Sequence, residues 1–121
     1  MQWHKKFSVA IVGIGRSIRV HKSFWVHSIA TILTVVLAIY LRFEAWRWVA
    51  LLTAITIVWT AELLNTALEE LVKAVHPEHD PIIGRSLDAA AGAVLLASLG
   101  AAGIGAIIFG PPIWDLLITA N

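Results

Sequence analysis

Trp3, Phe7, Ile11, Ile14 and Ile18 recur at spacings of three and four. Lys5, Lys6, Arg16, Arg19 and Lys22 are interleaved with them, and the stretch holds no acid. The pattern predicts a helix over 2–22 lying in a headgroup layer with its apolar face down. Polar interruptions then nearly cease. "FWVHSIATILTVVLAIYL" predicts a first membrane span over 24–41, with Trp25 and Tyr40 as interfacial anchors and His27 as its one possible charge before Tyr40. "RFEAWR" returns the chain. From Ala45 to Val75 no proline or glycine interrupts, so a second helix over 45–75 runs about 45 Å, more than the hydrocarbon needs. Its last third should emerge into headgroups and water. "HPEHDPIIGRS" is punctuated by Pro77, Pro81 and Gly84, and a third span over 87–109 is expected to close at "GPP".

Composition turns this pattern into a class. Of 121 residues, 59% are hydrophobic and 14% charged, and the mean hydropathy is +0.81. That is too little polar surface for a water-soluble domain of this size. The expected fold is an all-α integral membrane protein, one membrane domain over 1–121 with three transmembrane helices and an N-terminal amphipathic surface helix. A net charge of +1 argues against nucleic acid as a partner, and the absence of cysteine excludes disulfides and thiolate metal sites. Gly13, Gly15 and Arg16 break the first apolar run, so the N-terminus does not read as a signal peptide. Seven of the nine Lys and Arg residues fall in the N-terminal segment and near the second break, against Arg42 and Arg47 on the other side. This asymmetry predicts a cytoplasmic N-terminus.

Two features of the spans go beyond topology. Ala89, Ala93, Ala97, Ala101 and Gly105 repeat every four residues, a stripe that lets helix backbones approach closely within or between subunits. In "VWTAELLNTALEELV", Glu62, Asn65 and Glu69 share one face of the second helix, with the two carboxylates about 10 Å apart along its axis. Carboxylates at this depth cost several kcal/mol (about 2.5 or more each) unless they serve a cavity, a partner or a metal. One can accept a proton from a hydroxyl while the other holds a divalent cation through hard oxygens. Asp88 can reach the same layer. The plainer alternative is a set of hydrogen bonds between subunits, with a Glu70–Lys73 pair on the emergent face.

"AELLNTALEELV" resembles the E-x-x-N-[ST]-A-x-E signature of the prokaryotic diacylglycerol kinase family, which includes undecaprenol kinases. "LDAAAGAVLL", "FSVAIVGIGRSIRVHKSFWVH" and "IIFGPP" are similar to other segments of that family, so the resemblance spans the chain. It implies a homotrimer in a bacterial inner (plasma) membrane, with active sites at the cytoplasmic interface between subunits. It also implies a lipid kinase that transfers the γ-phosphate of ATP, with Mg2+, to the hydroxyl of diacylglycerol or undecaprenol. On the matching positions, Glu62 is the catalytic base supported by Asn65, and Glu69 binds the metal. Glu78 and Asp80 lie in the nucleotide-contacting segment, and Asp88 is the aspartate of a K-D pair.

The chain also departs from the family pattern. Leu87 stands where the family has lysine, with Arg85 two residues away as a substitute cation. His21 stands at a glutamate that is a second metal ligand, and suits a softer metal better than Mg2+. Ser23 and Trp25 replace an asparagine and an arginine, while His27 is kept; Lys73 replaces an aspartate. These changes imply a second possibility, a kinase-fold protein serving as a structural or lipid-binding subunit of a larger membrane complex. His76 and His79 in "HPEH" have a metal-like spacing, but Pro77 prevents one helix face from presenting both.

Overall fold

The computed structural model describes residues 2–121 as four helices, with no strand among them: α1 (Trp3–Val20), α2 (Lys22–Tyr40), α3 (Ala45–Val75) and α4 (Pro81–Thr119). The last three are each long and apolar enough to cross a membrane. α1 and α2 are separated by His21 alone, whose extended backbone (φ −104°, ψ 125°) ends one helix and starts the next. α1 buries none of its side chains, and Trp3, Phe7 and Ile11 are exposed.

The α2–α3 turn follows a Schellman ending. Arg42 takes the left-handed conformation at φ 55°. Its N–H reaches Ile39 O at 3.1 Å, and the N–H of Phe43 reaches Ala38 O at 3.1 Å. The apolar contact that accompanies such an ending is also present, because Phe43 and Ala38 join Leu51 and Ile108 in the buried cluster of the protein. Phe109 packs on Phe43 in a tilted arrangement, with centroids 4.8 Å apart. This end of the bundle is where three helices meet most tightly.

α3 and α4 form the principal hairpin. Buried or half-buried positions on α3 (Leu51, Ala54, Val58, Glu62, Asn65, Glu69) and on α4 (Leu87, Ala90, Val94, Ala97, Ala101, Ile104, Ile108) alternate at spacings of three and four. That is the seam of two helices packed nearly antiparallel. α2 lies more loosely on α3, tied to it by Trp59 Nε1 donating to Thr31 Oγ1 at 2.9 Å.

α4 is longer than the sequence predicts. It begins at Pro81 in the first helical turn, where Asp80 accepts from the N–H of Ile82 and Ile83 at 2.8 and 3.2 Å. It then continues through Pro111 and Pro112, where "GPP" was expected to end it. A proline leaves the carbonyl four residues earlier without its donor. For Pro112 that carbonyl belongs to Ile108, and Arg47 Nη1 on α3 donates to it. The alanine stripe packs less closely than expected within the chain: Ala97, Ala101 and Gly105 are half-buried, but Ala89 and Ala93 are exposed. A Cβ added at Gly92, Gly100 or Gly105 would meet nothing within 4 Å.

Candidate active site

The second half of α3 carries the polar residues of the bundle. Glu62 is buried at 7% exposure, and Thr66 one turn on at 6%. Across from Glu62 on α2, His27 Nε2 lies 3.7 Å from Glu62 Oε2. This is an ion-pair distance, longer than a hydrogen bond. The next turn of α3 presents Asn65 Nδ2 donating to Glu69 Oε1 at 3.0 Å. Asn65 Oδ1 is left buried with no hydrogen-bond partner. Such an orphaned acceptor is costly, of order 1–3 kcal/mol, unless something outside the chain satisfies it.

Aromatic packing holds this corner. Phe24, fully buried, lies against the Trp59 ring at a centroid distance of 5.5 Å, and His27 stands 6.3 Å from the same ring. Thr31 donates to the carbonyl of His27 at 2.7 Å while accepting from Trp59. The chain Trp59 to Thr31 to His27 therefore fixes two helices at the level of Glu62. His27, Thr31, Val58 and Trp59 stand at the head of a groove of about 360 Å³ that runs between α2 and α4 to Ile108 and Phe109. Its walls are almost wholly apolar, with small residues at Ser98, Ala101 and Gly105 on the α4 side.

The remaining sequence candidates are more dispersed. His21 Nε2 donates to Glu70 Oε1 at 2.9 Å, so its partner is the residue beside Glu69. Glu70, which the plainer alternative pairs with Lys73, is engaged there instead. Asp80 caps α4 through one oxygen. Glu78 is exposed and lies 3.5 Å from His76 Nδ1. Arg85 and Asp88 are exposed, and among the described residues neither forms an ion pair. No group of three His, Asp or Glu side chains converges among the described residues. The sequence marks His27 as the possible charge of its span, but does not join it, Thr31 or Trp59 to Glu62. The available signal was that His27 is ionisable and lies inside a span, where such a residue needs a reason.

The profile of the prokaryotic diacylglycerol kinase family matches residues 8–109, from the first turns of α1 to the last residue of the groove. The chain belongs to this family. Among its relatives is an undecaprenol kinase of Bacillus subtilis, 30% identical over 110 residues, which are 91% of this chain and 89% of the relative. A diacylglycerol kinase of Synechocystis sp. is 31% identical over 113 residues, 93% of this chain and 65% of that one. A diacylglycerol kinase of Escherichia coli K12 is 33% identical over 75 residues, 62% of each chain. The family match contains Glu62, Asn65, Glu69 and His27. The final turns of α4, past Pro111 and Pro112, lie beyond it.

Proposed function

We propose that the protein is a membrane lipid kinase that transfers the γ-phosphate of ATP to the hydroxyl of diacylglycerol or undecaprenol. The observation that carries this reading is a buried carboxylate, Glu62, that faces His27 at the head of an apolar groove and stands one turn from the Asn65–Glu69 pair. The groove takes the hydrocarbon of the lipid and brings its hydroxyl to Glu62. Glu62 accepts the hydroxyl proton as the oxygen attacks the γ-phosphorus and the bond to the departing ADP breaks.

Glu69 and the orphaned Asn65 Oδ1 are hard oxygen donors on one turn, which fits Mg2+ held by one or two protein groups and completed by phosphates and water. When bound there, such an ion neutralises charge on the nucleotide phosphates. Glu78, Asp80, Arg85 and Asp88 lie near or on the first turns of α4 and approach the nucleotide from that side. His21, placed at a ligand position by the family resemblance, is joined to Glu70 and contributes by fixing the elbow between α1 and α2. We place the N-terminus and the α3–α4 connection in the cytoplasm of a bacterial inner membrane, where ATP is available. We also place the chain in a homotrimer that completes each site.

A structural or lipid-binding subunit is the second reading, favoured by Leu87 at the family's lysine and by the His21–Glu70 bond. Purified protein in mixed micelles with Mg2+ and ATP distinguishes the two. Formation of phosphatidic acid or undecaprenyl phosphate supports the kinase and identifies its lipid. Neither product with either lipid supports the subunit.

A further inference from the structure

Glu62 is taken out of water at a depth where a lone carboxylate is costly. Among the described residues, His27 is its one ion-pair partner. The two groups come from different helices, and the backbone of α2 at His27 is tied to α3 beside the Trp59 ring. Thr31 is bonded to the carbonyl of His27, Trp59 is bonded to Thr31, and the Trp59 ring flanks His27. His27 also lines the head of the groove. We infer that His27 is a positioning residue for Glu62: its Nε2 faces Oε2, holds the carboxylate in one orientation, and leaves Oε1 for the substrate hydroxyl. The inference rests on the kinase reading for its consequence in turnover, and on geometry alone for the pairing itself.

The role predicts a specific kinetic pattern. His27→Leu removes the polar partner and should lower kcat by about 10- to 100-fold, the range expected when a reacting group is misplaced by about an ångström. The KM for lipid should change little. His27→Gln, whose amide nitrogen can occupy the place of Nε2, should recover most of the loss. In a Glu62→Gln background, His27→Leu should have almost no further effect, because residues that act as a unit are non-additive.

The test has two arms. In the first, kcat and lipid KM are measured for wild type, His27→Leu, His27→Gln, Glu62→Gln and the Glu62→Gln/His27→Leu double variant. Additive losses in the double variant, or a raised KM at unchanged kcat, overturn the inference in favour of a packing role. In the second arm, 15N-labelled imidazole spectra of His27 are compared between wild type and Glu62→Gln, a measurement that needs no turnover. A change in the His27 nitrogen shifts supports the pairing even in a chain that phosphorylates nothing, where the kinase reading alone would fail. Unchanged shifts overturn it.

Discussion

Glu62 and Glu69 sit on one helix face two turns apart, and their different surroundings support the different work proposed for them. Glu62 is buried opposite an imidazole, whereas Glu69 is half-buried and hydrogen-bonded to an amide that keeps one oxygen free. Glu62→Gln retains shape and removes the proposed base, so lipid phosphorylation should fall by roughly 10²- to 10⁴-fold with nucleotide affinity little changed. Steady-state kinetics beside nucleotide-binding isotherms read both quantities. Glu69→Gln should show the opposite split, with weaker Mg2+-dependent nucleotide binding that is partly restored at higher Mg2+; a loss of kcat at unchanged affinity would contradict its assignment. The spacing of Glu62, Asn65 and Glu69 was legible in the sequence because three residues on one helix need only the helical period. The pairing of Glu62 with His27 was not, because it depends on how α2 leans on α3.

Local signals also explain why the elements were read unevenly. α3 runs over 45–75, the stretch that has no Pro or Gly to stop it and Glu44 and His76 at its two caps. α4 overruns its expected end because the carbonyl freed by Pro112 has a donor from a residue far away in sequence, the Arg47 guanidinium. Removing that donor should cost about 1–3 kcal/mol, the usual penalty for an unpaired buried polar group. Arg47→Met should therefore lower thermal stability in detergent. It should do so by less in a Pro112→Ala background, where the backbone N–H returns. Equal losses in both backgrounds would mean that Arg47 acts only through its packing on Phe43 and Trp46. Arg42 offers a change of opposite sign. Its left-handed backbone is one that glycine adopts without strain, so Arg42→Gly should stabilise the turn by about 1 kcal/mol, read as a higher melting temperature.

At the scale of the whole molecule, one chain leaves much for other surfaces to cover. Ala93 is exposed and lines a second apolar groove with Thr60, Leu64 and Asn65, on the side of the hairpin away from α2's ties. If another copy packs there, Ala93→Leu should reduce the oligomeric mass in detergent, since overpacking a close contact costs about 1–3 kcal/mol; an unchanged mass would leave that face to lipid. The membrane class and the three long apolar helices followed from composition and run length. Which faces meet a second chain did not, because lipid and a packed helix demand similar apolar side chains. In the proposed reading the chain keeps Glu62 as base and Glu69 as metal ligand, while Leu87 stands where the family resemblance has a phosphate-pairing lysine. The most direct test of that account is transfer of labelled γ-phosphate from ATP to diacylglycerol or undecaprenol by wild type and by Leu87→Lys. The account predicts a labelled lipid from wild type, and more of it from Leu87→Lys. No labelled lipid from either protein with either substrate would contradict it.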